Sequence, residues 1–114
     1  MKNVVVRKNH QSTDPDSLSV KAGDILQGEK KPTKWPNWLW CHDKNNVYSW
    51  VPKTFLKAID AKPGYYKVVK DYVAKELTVK AGDELTILFE DCDWAFARKQ
   101  NGEEGWVPLE NLEF

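Results

Sequence analysis

The feature that most constrains this chain is a segment written twice. Leu18-Ser-Val-Lys-Ala-Gly-Asp24 recurs as Leu77-Thr-Val-Lys-Ala-Gly-Asp83, with Ser19 against Thr78 the only difference. Self-similarity of this quality marks a duplicated structural unit and has to be settled before single elements are assigned. Other landmarks recur in the same order: Trp38-Leu-Trp-Cys-His42 stands against Trp94-Ala-Phe-Ala-Arg98, and Trp50-Val-Pro52 against Trp106-Val-Pro108. The first copy is slightly longer between these landmarks, and its extra residues fall between Lys30 and Asn37. Residues 59–64, Ile-Asp-Ala-Lys-Pro-Gly, have the turn chemistry of a short linker. The 114 residues therefore divide into two small units, expected at 1–58 and 64–114, each near the lower size limit for folding alone.

Periodicity within the copies is that of strands. Val68 and Val69 open the second copy, Leu77 and Val79 alternate, and Leu85, Ile87 and Phe89 are expected to point one way from a single strand. Trp40 and Phe96 share one parity on their strand, while Leu39 and Cys41 share the other, so one set faces inward. In Lys80-Ala-Gly-Asp83 the glycine stands where a type II turn needs positive φ, and Gly23 repeats this in the first copy. Asn101-Gly102 reads as a two-residue type I′ hairpin turn, with Asn45-Asn46 its weaker equivalent. Neither copy shows the apolar spacing of an amphipathic helix. Short strands joined by tight turns predict an all-β chain, with about five strands per unit closing into a small barrel.

Composition excludes several functions. With 17 basic and 17 acidic side chains the net charge is zero, and no basic stripe is present to hold phosphates, so nucleic acid is not an expected partner. No stretch approaches the roughly 20 apolar residues of a membrane helix. The start, Met1-Lys2-Asn3-Val4-Val5-Val6-Arg7, is too short for the core of a signal peptide, so a cytoplasmic location is expected. Cys41 and Cys92 fall at different places in the two copies, which argues against a disulfide framework and fits a reducing compartment. Cys41 beside His42 lacks any accompanying CxxC or HxxxH spacing, so no metal or other cofactor is expected. The two histidines, His10 and His42, stand without a nucleophile or carboxylate motif, and no phosphate-cradling glycine loop occurs. A non-enzymatic protein is expected.

Four motifs in fixed order resemble the SH3 family, specifically the variant SH3 domains found in bacterial proteins. Val68-Val-Lys-Asp-Tyr72 is similar to the opening ALYDY strand of that family, and Leu77-Thr-Val-Lys-Ala-Gly-Asp83 to its diverging turn. Trp94 falls where the family has its groove Trp, and Gly105-Trp-Val-Pro108 resembles the run before its short 3₁₀ turn. The resemblance implies two tandem five-stranded SH3-like β-barrels with Cys41 and Ala97 inside. It also implies an aromatic groove for proline-rich peptides in the polyproline II form.

Carried over by position, the first groove comprises Trp38, Pro52 and Phe55, with Asp14 and Asp16 as acids for a ligand Arg or Lys. The second comprises Tyr72, Trp94 and Pro108. Trp38 is expected to be partly exposed, and Trp35 is a candidate additional wall. Trp50 and Trp106 read as braces for a strand edge or for the contact between copies.

Departures from the pattern are visible: Arg7, Lys8 and Asn9 stand near the family's first-copy Tyr positions, Lys70 replaces a Tyr, and Asn111 replaces the aromatic after Pro108. Two readings of function stay open. One is a binding module for a protein or a proline-rich or basic peptide. The other is an assembly part whose groove surfaces are covered by protein, with Trp38 or Trp94 buried. Ligand identity and oligomeric state are not legible.

Overall fold

The computed structural model describes residues 2–12 and 18–114. Asp14 and Asp16 lie outside the described residues. Among those residues the chain is all-β: β1 (Lys2–Val6), β2 (Ser19–Val20), β3 (Ile25–Glu29), β4 (Trp38–His42), β5 (Tyr48–Pro52), β6 (Leu56–Ala58), β7 (Tyr65–Val68), β8 (Tyr72–Val73), β9 (Glu84–Asp91), β10 (Trp94–Lys99), β11 (Glu104–Pro108) and β12 (Leu112–Glu113). Single 3₁₀ turns, Lys53–Phe55 and Leu109–Asn111, follow Pro52 and Pro108.

The strands form two compact units, but these are not the contiguous halves 1–58 and 64–114. A contiguous unit comprises Asp16–Ala74, and a split unit joins Met1–Pro15 to Lys75–Phe114. The contiguous unit has the sheet order β5-β4-β3-β7-β6, with β2 paired to β8, and the split unit has β11-β10-β9-β1-β12. Each copy's opening strand is therefore built into the other copy's sheet.

The linker explains the exchange. Strand β7 pairs antiparallel with β6, Leu56 opposite Val68 and Ala58 opposite Tyr66. The connection between them is a tight hairpin closed by the bonds Ile59 N–H to Tyr65 O (3.0 Å) and Tyr65 N–H to Lys62 O (3.1 Å). A short connection between antiparallel neighbours costs little closure entropy, so the second copy's first strand folds back onto the first copy. The corresponding place in the split unit is filled by β1, which pairs with β9 and β12.

Local sequence does not oppose this, because the two acceptors are duplicates. Val6 accepts from Gly82 N–H at 2.7 Å and donates to Asp83 O at 2.8 Å; Val68 accepts from Gly23 N–H and donates to Asp24 O, both at 2.8 Å. Asn9 Oδ1 caps Ala81 N–H at 2.7 Å just as Asp71 Oδ1 caps Ala22 N–H at 2.9 Å. Gly23 and Gly82 take φ of +99° and +97°, the positive value that the repeated turn requires.

Inside the split unit Val4, Val6, Leu77, Val79, Leu85, Ile87, Ala95, Ala97, Val107 and Leu112 form one buried cluster. Leu18, Leu26, Cys41, Val51 and Val68 are buried in the contiguous unit. Cys41 and Ala97 thus lie inside. Phe89 does not follow Leu85 and Ile87: the register with β10 shifts so that Ala97 faces Ile87 but Phe96 faces Phe89. This bulge places Leu88 as the extra residue and turns Phe89 to the outer face, where it is 43% exposed and stacks on Phe96.

The hairpin turns are also redistributed. Of Asn101 and Gly102 only the glycine has positive φ, and Gly102 N–H donates to Lys99 O at 3.0 Å, which is a type I turn followed by a left-handed residue. Asn46 at φ +61° closes the equivalent turn of the first copy. Two successive positive φ values, as a type I′ turn has, occur instead at Cys92 and Asp93, +51° and +70°.

Gly105 has a packing reason. A Cβ there would lie 2.8 Å from the Lys75 carbonyl oxygen and 3.0 Å from Leu77 Cγ, where the backbone of Lys75–Leu77 bonds to Trp106. Gly105→Ala should destabilise the split unit by about 1–3 kcal/mol in denaturant unfolding.

The strand exchange makes a sharper prediction. Val68→Asp buries a charge in the contiguous unit at a cost of roughly 3 kcal/mol or more. In amide NMR spectra of the full chain, the indole signals of Trp38, Trp40 and Trp50 should collapse while those of Trp94 and Trp106 keep their native positions. The reverse pattern would show that the opening strands are not exchanged.

Candidate binding site

The exchange decides which side chains meet. Residues expected in two separate grooves are redistributed: Tyr72, assigned with Trp94 and Pro108, belongs to the contiguous unit with Trp38, Pro52 and Phe55. Its ring meets Phe55 edge-on at 5.1 Å between centroids, and its hydroxyl donates to Trp50 O at 2.8 Å. Trp38 lies opposite Pro52 across β4 and β5. The Lys70 ammonium stands 4.3 Å from the Phe55 ring centroid, at a position where the family pattern has an aromatic.

The expected exposure of Trp38 is not found. Trp38 is 7% exposed, Phe55 3% and Tyr72 2%. The loop between β3 and β4 ends in a turn, in which Trp38 N–H donates to Trp35 O at 3.1 Å.

In the split unit the same positions carry different chemistry. His10 occupies the place that Tyr72 holds in the other unit, meeting Trp94 edge-on at 5.6 Å and bonding through Nε2 to Glu76 Oε1 at 2.9 Å. Asn111, where Phe55 stands in the other unit, donates from Nδ2 to the carbonyls of Lys8 (3.2 Å) and Asn9 (3.0 Å). Its own carbonyl accepts from Arg7 N–H at 2.9 Å. An aromatic wall has been replaced by a buried amide that clasps the chain following β1. Pro108 is buried and Trp94 half-buried. Tyr72 therefore belongs to a different compact unit from Trp94 and Pro108, and the contact of His10 with Trp94 escaped the sequence because the exchange that brings them together is a tertiary event.

A row of accessible aromatics in the contiguous unit lies on β4 and β5. Trp40 meets Trp50 at 5.2 Å and Tyr48 at 5.9 Å, and Tyr48 meets His42 at 4.5 Å. Beside this row an open cleft of about 410 Å³ is walled by Trp38, Trp40 and Trp50 on one side and by Pro32 and Pro36 of the long loop on the other. The loop overhangs, but with its prolines; Trp35 is not part of the lining. Trp106 is different from Trp50. It is 2% exposed, packed on Phe89 and Phe96, and braces β11 against Lys75–Leu77.

Beneath the row, Cys41 is fully buried and burial pushes its thiol up to about 12. Cys92 is half-buried and its Sγ donates to Asp91 Oδ1 at 3.1 Å. Among the described residues no group of three or more His, Cys, Asp or Glu side chains is placed to hold a metal. None of the helices among the described residues is long and apolar enough to cross a membrane.

Residues 65–114 match the family model described as the variant SH3 domain. Comparison with curated proteins and with solved structures gave no match. The matched segment and the compact unit do not coincide, since residues 65–74 of the SH3-like segment are built into the contiguous unit.

The buried thiol sets a pH dependence. Because the folded value is raised above the ordinary 9.0, the Cys41 contribution to stability is full below pH 9 and is lost as pH rises toward 12. Unfolding free energy should fall over that window in the native chain and fall less in Cys41→Ala, and a thiol reagent should label Cys92 well before Cys41.

Proposed function

We propose that this chain is a non-enzymatic protein-interaction module of the cytoplasm, made of two SH3-like barrels whose opening strands are exchanged. The SH3-like segment supports the coarse part of this reading, because SH3-type domains generally bind proteins or peptides rather than catalyse reactions. The observation that carries the finer part is the convergence of Tyr72, Phe55, Pro52 and Trp38 in one unit. Neither sequence copy holds that set alone. A proline-rich peptide in the polyproline II form is the ligand that such a set fits, since it docks with little loss of entropy.

The split unit is the poorer peptide site. Its Asn111 is spent on the carbonyls of Lys8 and Asn9, and its His10 on Glu76. We read it as the structural partner.

A second reading is favoured by the burial of the first set. With Trp38, Phe55 and Tyr72 all below a tenth exposed, the set serves as an internal joint and the chain is an assembly part without a peptide ligand. Amide NMR of the labelled chain, titrated with proline-rich peptides bearing Arg or Lys at either end, separates the two. The peptide reading expects shifts centred on Trp38 and Tyr72 that Trp38→Ala removes; an unchanged spectrum at millimolar peptide establishes the assembly reading instead.

A further inference from the structure

The cleft beside Trp40 and Trp50 has a charge of the opposite sign to that needed for a basic ligand. Its lining includes Lys30, Lys31 and Lys53, and Glu29 is the only acid among the described residues there. Among the described residues none of these three lysines takes part in an ion pair. The Lys31 ammonium stands 3.5 Å from the Trp40 ring centroid and 5.8 Å from that of Trp50. A cation held over an indole face is partly desolvated and fixed in direction, so it presents an oriented donor at the mouth of an apolar cleft.

We propose that this cleft binds an acidic peptide segment of a partner protein, with a carboxylate on the Lys31 ammonium that caps Trp40 and an adjacent proline ring against the Trp50 side of the lining. The volume, about 410 Å³, suits two or three residues of extended peptide. Pro32 and Pro36 stiffen the overhanging loop, so the cleft is preformed and closing it on a ligand costs little ordering. A peptide fits better than a nucleic acid. The chain as a whole is neutral, and three lysines at one short cleft do not extend into the stripe that a phosphate backbone follows. The site goes beyond the proline-rich groove: the two share Trp38, but its occupancy is read at Trp40 and Trp50, so the failure of one assignment leaves the other standing.

The test uses the full labelled chain and three probes: a capped hexapeptide of alternating glutamate and proline, the same peptide with lysine for glutamate, and a thymidine hexanucleotide. The glutamate peptide should shift the indole N–H signals of Trp40 and Trp50, with an affinity that falls as salt is raised. The lysine peptide and the oligonucleotide should leave them in place at the same concentration. Lys31→Glu, a surface change that leaves the core intact, should weaken the glutamate peptide about fivefold or more and raise affinity for the lysine peptide. Equal binding of both peptides, tighter binding of the oligonucleotide, an unaltered preference in Lys31→Glu, or an unchanged spectrum with the glutamate peptide would each overturn the proposal.

Discussion

Each sheet is closed by a strand that its own copy does not supply, and the closure rests on a short backbone ladder. Val68 exchanges bonds with the Gly23-Asp24 turn while its side chain enters the core of the contiguous unit, and Val6 does the same with Gly82-Asp83 in the split unit. Burying one valine contributes about 1.5–3 kcal/mol, a large share of what a unit this small can gather. Without its borrowed strand neither sheet has its central-to-edge order, because β7 bridges β3 to β6 and β1 bridges β9 to β12. Cores, grooves and the outer aromatic faces all depend on that insertion.

The exchange gives the duplicated sequence two unequal products. Where a Tyr and a Phe meet in the contiguous unit, a His and an Asn stand in the split unit, and they bond to Glu76 and to the carbonyls of Lys8 and Asn9. A buried amide with both N–H donors bonded fixes one arrangement of its segment, since any displacement leaves those donors unpaired. One unit keeps a packed aromatic pair at these positions, and the other has turned the same positions into a clasp.

Loop length completes the asymmetry. Between β3 and β4 the chain has room to overhang, and its prolines and lysines make one wall of a cleft over Trp40 and Trp50. Between β9 and β10 the connection is the two-residue turn Cys92-Asp93, which leaves nothing to project, and the corresponding Phe89, Phe96 and Trp106 pack on one another instead.

By itself the sequence determined the duplication, the all-β character, the positive-φ glycines of the repeated turn and the inward parity of Cys41 and Ala97, because each of these follows from local stereochemistry or from a period of two along a strand. It also singled out Trp38, Pro52, Phe55 and Tyr72. Which of them share a unit was decided only in the tertiary structure. The two opening strands offer the same bonds to the same turn, so nothing local distinguishes partner from partner; the tight hairpin at residues 59–64 does, by returning β7 to β6. The outward turn of Phe89 was hidden for a related reason. A one-residue bulge changes what a side chain faces while leaving the apolar pattern of the strand as it was.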